Sequence, residues 1–235
     1  MNKQSNTYTI IYISVLVIIM GAALAIAAMS LKDKQQENAD ADKMKQILAS
    51  VHVIAQDGDI KSTFNKYIVK EMEINSNGEI IANDAFYIDI AKESKESDYS
   101  IRRLPIYVCQ LNKNEIKYIL PVYGAGLWGP IWGYIAINDD GSTIYGAYFA
   151  HQGETPGLGA EIDKPLFCNQ FKNKSLIKEN EFRPISVIKK GQKPINGEDY
   201  VDGISGGTIT SKGVSDMLND CLMPYKAFLE NLKNK

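Results

Sequence analysis

An uninterrupted apolar segment near the amino terminus constrains this chain more than any other feature of its sequence. From Tyr8 to Leu31 the sequence YTIIYISVLVIIMGAALAIAAMSL contains no charged side chain. A helix rises about 1.5 Å per residue, so a segment of this length spans a hydrocarbon layer of roughly 30 Å. Ala25-Ile26-Ala27 resembles a signal-peptide cleavage site, but the apolar region is longer than such peptides carry. We therefore expect a transmembrane helix at 8–31, preceded by a short segment at 1–7.

The lysines on the two sides of this segment do not decide its orientation. Lys3 precedes it, and four lysines mixed with acidic residues follow it within 32–45. Taken alone, lysine counting places the large domain in the cytoplasm. Long domains can, however, be translocated regardless of nearby charge.

Composition excludes several functional classes. The chain has 235 residues, 45% of them hydrophobic, and a net charge of -2, which predicts a folded core and argues against a nucleic-acid partner. Cys109, Cys168 and Cys221 are widely spaced and odd in number, so they predict neither a zinc knuckle nor an essential disulfide. With only His52 and His151 available, a histidine-rich metal site is poorly supported.

The residues after the apolar segment predict one α+β domain. A polar stretch acquires helical spacing from Met44 to Val51, which indicates a juxtamembrane helical segment within 32–60. Asn77-Gly78 and Asp140-Gly141 each lie between apolar runs and predict β-hairpins within a domain at 61–235. A final helix is expected from Lys212 onward, with a kink or break at Pro224.

Two glycine-rich stretches in the middle of the chain are candidates for ligand binding. His151-x-x-Glu154 has the spacing of two metal ligands on a helix, but the sequence HQGETPGLG predicts a turn. This turn also lacks the spacing of a phosphate-binding loop. In GAGLWGPIWGY, Trp128 and Trp132 indicate core packing, or alternatively a wall against which a planar ligand stacks.

The stretch DGISGGTITS, at 202–211, permits two interpretations. In the first it is a flexible hairpin leading to a helix, with Thr210 or Ser211 as the N-cap. In the second, Gly206 and Gly207 remove side-chain bulk beside Thr208, so that another enzyme can reach its hydroxyl. A phosphate esterified there would lie near the amides of the following helix, which suits a covalently held phosphorylated cofactor.

Three motifs in this order behind a single membrane helix carry a family resemblance over nearly the whole chain. GLWGPIWGY, HQGETPGLGAEI and DGISGGTITS are similar to segments in the family of C subunits of sodium-translocating NADH:quinone reductases, within the FMN-binding domain proteins. The resemblance implies that a flavin transferase takes FMN from FAD and links it by a phosphoester to Thr208. It also implies transferase recognition of Asp202, Ser205, Gly206 and Thr208. Gly207 stands where alanine is usual in the family.

The same resemblance implies an electron carrier within a larger complex, not a chain with catalytic or metal-binding residues of its own. Electrons would pass from NADH toward quinone while sodium is exported, with other subunits of the complex as partners. The domain would face outside the cytoplasmic (inner) membrane, with the amino terminus in the cytoplasm. The residues implied to contact the flavin lie in all three motifs: Trp128, Glu154, Thr155, Gly157, Leu158, Ser205, Gly206 and Gly207.

Two other functions are compatible with these residues. The G subunit of an Rnf-type ion-translocating complex shares the anchor, the ETPGLG turn and the modified threonine, although GLWGPIWG favours the quinone reductase. A membrane-anchored module that binds a ligand or envelope partner without redox activity is the alternative from another class.

Overall fold

The computed structural model describes residues 6–56, 58–194 and 197–234. Residues 1–5 of the predicted amino-terminal segment, including Lys3, therefore lie outside the described residues. The chain divides into two compact units, Met1–Lys43 and Met44–Lys235, and each is described by itself. The predicted domain limits at 8–31, 32–60 and 61–235 stay predictions.

A single long helix, α1, occupies Asn6–Ser50 and contains the predicted span at 8–31. It is the one helix of the described residues that is long and apolar enough to cross a membrane. Its apolar side chains are exposed, as Ile18 and Ile26 at 69% each illustrate. An exposed apolar surface of this kind is unfavourable in water and favourable in the hydrocarbon core of a membrane. Because 32–50 contains neither glycine nor proline, the helix continues through this polar stretch to Ser50.

The second unit is an α+β domain built on a six-stranded sheet, as predicted. The strand order is β2-β1-β3-β4-β5-β6, and every neighbouring pair is antiparallel. The strands are β1 Ile68–Ile74, β2 Ile80–Ala82, β3 Leu104–Asn112, β4 Glu115–Ala125, β5 Pro130–Asn138 and β6 Ile144–His151. Two small sheets follow, an antiparallel pair of β7 Ile177–Lys178 with β8 Glu181–Phe182 and a parallel pair of β9 Ser186–Ile188 with β10 Tyr200–Asp202.

Short helices surround the sheet. They are α2 Ile60–Tyr67, α3 Ile90–Glu93, α4 Pro165–Cys168, α5 Thr208–Leu222 and α6 Lys226–Lys233. Turns of 3-10 helix occupy Tyr99–Ile101, Gly159–Asp163, Asn169–Phe171 and Met223–Tyr225.

Both faces of the six-stranded sheet are buried. Successive residues of a strand point to opposite faces. Tyr107 of β3 accordingly joins a core with Leu48, at the end of α1, and Phe64 of α2. Its neighbour Ile106 joins the other core with Leu218 of α5. The sheet is thus covered on one face by α5 and its neighbours, and on the other by α2 and the end of α1.

The predicted hairpins and the predicted break of the last helix are confirmed. Gly78 lies in the β1–β2 turn and Gly141 in the β5–β6 turn, with φ of +80° and +65°. Asp140 stabilises its turn because Oδ1 accepts hydrogen bonds from the amides of Ser142 and Thr143, each at 2.8 Å. At the carboxyl end, α5 stops at Leu222 and a 3-10 turn containing Pro224 precedes α6.

Candidate functional site

The β4–β5 connection presents two large apolar side chains. We call residues 126–129 the tryptophan turn, closed by a 2.8 Å hydrogen bond from the Gly126 amide to the Gly129 carbonyl. At its tip, Leu127 is 47% and Trp128 is 69% exposed. Trp132 lies elsewhere, half-buried, with its indole N–H donating to Gln46 Oε1 at 2.9 Å. The two tryptophans therefore do not form one wall.

The segment after β6, residues 154–159, forms a second turn that we call the glutamate turn. The amide of Leu158 donates to the Thr155 carbonyl at 3.1 Å, and Gly157 adopts a φ of +76° that glycine tolerates best. Thr155, Gly157 and Leu158 are exposed, whereas Glu154 is 4% exposed. His151, the other residue considered as a metal ligand, accepts a 3.2 Å hydrogen bond at Nδ1 from the Glu154 amide.

The third segment, residues 202–207, connects β10 to α5 and is called the threonine loop. Gly206 has a φ of +76°, and the Gly207 amide donates to the Ile204 carbonyl at 3.0 Å. The prediction that Thr210 or Ser211 caps the helix is wrong, because α5 begins at Thr208 with Gly207 as the N-cap. The side chain of Ser211 instead accepts from the Ile204 amide at 2.9 Å, and thus holds the loop against the helix.

The Glu154 carboxylate joins the tryptophan turn to α5, the helix that follows the threonine loop. Oε1 accepts a hydrogen bond from the Trp128 amide at 2.8 Å, and Oε2 accepts one from the Thr210 hydroxyl at 2.6 Å. The threonine loop also touches the glutamate turn directly, since a Cβ added to Gly206 would lie 2.7 Å from Leu158 Cδ2. The segments therefore form one surface.

Two threonines at the start of α5 have opposite surroundings. Thr210 is 1% exposed and its hydroxyl is committed to Glu154. Thr208 is exposed, and within the described part of the chain its hydroxyl has no hydrogen-bond partner. Of the two hydroxyls, that of Thr208 is the one that a second molecule can reach.

The amino end of α5 offers backbone donors beside Thr208. The first amides of a helix have no intrahelical acceptor, and Gly207 supplies no side-chain cap. These amides and the helix dipole favour a negatively charged group. Lys212, one turn later, pairs with Asp216 at 3.0 Å.

The structure brings the residues predicted to contact a cofactor onto these three segments. They are Trp128, Glu154, Thr155, Gly157, Leu158, Ser205, Gly206 and Gly207, and Thr208 follows them as the first residue of α5. Asp202 lies at the end of β10, half-buried, with its amide donating to Gln170 Oε1 at 2.9 Å. Local sequence gives no signal for the inward role of Thr210 or for the exposure of Leu127 and Ile209, the latter 59% exposed.

Comparison with known proteins places the same region in a family of flavin proteins. Residues 126–223 match the FMN-binding domain family. The C subunit of the Na(+)-translocating NADH-quinone reductase of Vibrio anguillarum is 33% identical over 214 residues, covering 84% of this chain and 83% of the relative. That of Yersinia pestis is 32% identical over 239 residues, covering 93% and 89%. The crystal structure of the C subunit from Parabacteroides distasonis is 47% identical, covers 85% of this chain and 96% of its own, and superposes with a TM-score of 0.78.

Proposed function

The chain belongs to the family of C subunits of Na(+)-translocating NADH-quinone reductases, and from this membership we propose that it carries FMN esterified to Thr208. Its relatives are subunits of an oxidoreductase complex, so the chain acts with partner subunits and does not oxidise NADH alone. The observation that carries the proposal is the exposed, unbonded hydroxyl of Thr208 beside two glycines at the start of α5.

Attachment requires a second enzyme and a flavin donor. In the proposed step, Thr208 Oγ1 bonds to the phosphorus of the FMN half of FAD. The pyrophosphate bond of FAD breaks, AMP leaves, and the hydroxyl proton is released. Asp202, Ser205, Gly206 and Thr208 are the residues we propose for recognition by the flavin transferase, and the last three are exposed.

Gly207 is compatible with this role. Its φ is -105°, so it does not need the left-handed conformation reserved for glycine. A Cβ there would lie 3.1 Å from Ile204 Cβ and 3.3 Å from the Gly159 nitrogen, a tight but small adjustment. The alanine that the family resemblance implies at this position therefore fits this backbone with a shift of a few tenths of an ångström.

The surface around Thr208 suits both ends of FMN. Amides at the start of α5 would hold the phosphate, and Ser205, Gly206 and Gly207 would border the ribityl chain. Exposed Trp128 and Leu158 would provide apolar contact for the ring, and Thr155 would orient its edge. Gly157, whose amide donates to Glu161 Oε1 at 3.1 Å, would let the ring approach the backbone because it has no side chain. When bound, FMN supplies one-electron transfer, and the chain holds and orients it.

We further propose that α1 anchors the chain as a single span, with its amino terminus in the cytoplasm and the domain on the outer (periplasmic) side of the inner membrane. The exposed apolar surface of α1 supports the anchor, and its sidedness comes from the family resemblance. Protease added to intact spheroplasts should digest the domain. If the domain is completely protected from protease until the membrane is opened, the orientation is the opposite of the one proposed.

A denaturing gel tests the proposed function. The full-length chain is expressed with its flavin transferase and the band is viewed under ultraviolet light, since only covalently held flavin survives denaturation. The wild type and Thr210→Val should fluoresce after prolonged coexpression, and Thr208→Val should be dark. The wild-type band could instead stay dark while the same transferase modifies another substrate protein. That result would favour a binding module without redox activity.

A further inference from the structure

Glu154 has surroundings unlike those of the other residues in its turn. Its neighbours Thr155 and Leu158 are exposed, yet Glu154 is 4% exposed. A glutamate is rarely buried unless its carboxylate is well bonded. Here both oxygens accept from neutral donors, the Trp128 amide at 2.8 Å and the Thr210 hydroxyl at 2.6 Å. The carboxylate lies beneath the surface proposed for the flavin, not on it.

Two glycines form a socket for this carboxylate. A Cβ added to Gly126 would lie 2.4 Å from Glu154 Oε1, and one added to Gly159 would lie 2.3 Å from Oε2. Side chains essentially never approach a Cβ so closely. The backbones of the tryptophan turn and of the glutamate turn can therefore close around the carboxylate because both positions lack a side chain.

The bond to Thr210 also determines how α5 presents its first turn. Residues two apart on a helix point roughly 200° apart around its axis. Holding the Thr210 side chain inward against Glu154 therefore turns the Thr208 side chain outward, toward solvent. Oε1 at the same time fixes the backbone of Trp128, so one carboxylate sets the position of the ring wall and of the attachment hydroxyl.

We infer that Glu154 is a positioning residue for flavin attachment, acting through Thr210 to present the Thr208 hydroxyl to the transferase. This inference rests on the proposed function. Geometry of this kind affects the rate of group transfer, because a displacement of about 1 Å can cost on the order of 100-fold. It does not change how the transferase binds FAD.

The test measures the initial rate of attachment to purified, unmodified full-length chain with transferase and FAD. Glu154→Ala should lower kcat by roughly 10- to 100-fold with an unchanged KM for FAD. Glu154→Gln should stay within about threefold of wild type, since its oxygen accepts from Trp128 and its NH₂ donates to the Thr210 oxygen. Asp216→Asn, which removes an exposed carboxylate of α5, is the matched control and should match wild type.

Two variants at Thr210 keep the test decisive if Glu154→Ala does not fold. Thr210→Val removes only the hydroxyl that donates to Glu154, and Thr210→Ser keeps it. Thr210→Val should slow attachment by roughly tenfold, and Thr210→Ser should not. If folded Thr210→Val and Glu154→Ala both react at the wild-type rate, Glu154 has no positioning role. An unmodified wild type, or a modified Thr208→Val, would instead remove the proposed function and this inference with it.

Discussion

Thr208 and Thr210 show how two identical residues, two positions apart, receive different chemistry from their surroundings. Burial and a 2.6 Å bond to Glu154 occupy the Thr210 hydroxyl, whereas the Thr208 hydroxyl faces solvent. The sequence favours Thr208 because two glycines precede it and bulky Ile209 separates it from Thr210. The role of Thr210 depends on a residue 56 positions away and could not be found from local sequence.

The exposed side chains of the glutamate turn should tune the flavin without controlling its attachment. Thr155→Ala and Leu158→Ala should each shift the absorption spectrum or the midpoint potential of attached flavin, because they remove the polar and the apolar contact proposed for the ring. Leu166→Ala is the matched control, since Leu166 is 86% exposed elsewhere on the domain. Spectra and potentials that stay at wild-type values in both variants would remove this turn from the flavin site.

At the scale of elements, close backbone contact at glycine joins the glutamate turn to α5. A Cβ at Gly159 would meet Glu154 Oε2 at 2.3 Å and Thr210 Oγ1 at 2.4 Å, whereas one at Gly153 would meet nothing within 4 Å. Gly159→Ala should therefore lower the melting temperature and slow flavin attachment, and Gly153→Ala should do neither. Thermal unfolding of the full-length chain in detergent and the attachment rate measure the two effects. If Gly159→Ala and Gly153→Ala have the same melting temperature and the same attachment rate, the close backbone contact at Gly159 is not needed.

Elements with local causes could be predicted from the sequence. The hairpins at Gly78 and Gly141 follow from turn residues, and the break after Leu222 follows from Pro224. The sequence predicts too late a start for α5, because hydroxyl residues are preferred N-caps, while here Thr210 bonds to Glu154 and Ser211 bonds to the loop. Such tertiary partners override local preference.

The same limit applies to the site. Glycine-rich turns identified two of its segments, and the family resemblance connected them to Thr208. The convergence on Glu154 could not be predicted, since contacts between the tryptophan turn, the glutamate turn and α5 depend on how the sheet and helices pack.

At the scale of the whole molecule, both faces of the sheet are buried, and the three cysteines lie inside. All three are free, and burial raises the pKa of Cys109 from 9.0 to about 12 and those of Cys168 and Cys221 to about 11. The thiols are therefore protonated and unreactive in the folded domain near neutral pH. That no disulfide is essential stays a prediction, which replacement of the cysteines tests.

The buried thiols should make the domain less stable at alkaline pH. Well below pH 9.0 the thiols are protonated in both states, but as pH rises through 9.0 the unfolded chain releases thiol protons that the folded chain retains up to about pH 11. Stability therefore falls as pH rises through this window. Replacing all three cysteines by alanine should keep flavin attachment and make the fall of melting temperature from pH 9 to 11 shallower. Loss of attachment, or an unchanged slope, would contradict this account.

The central claim is that Thr208 carries FMN, and peptide mass spectrometry of the full-length chain tests it most directly. The chain is coexpressed with its flavin transferase and digested, and the modified peptide is fragmented to locate the added mass. We expect a single FMN, joined with loss of one water, on Thr208, and no added mass in Thr208→Val. The same mass on Thr210, Ser205 or Ser211, or its persistence in Thr208→Val, would contradict the claim.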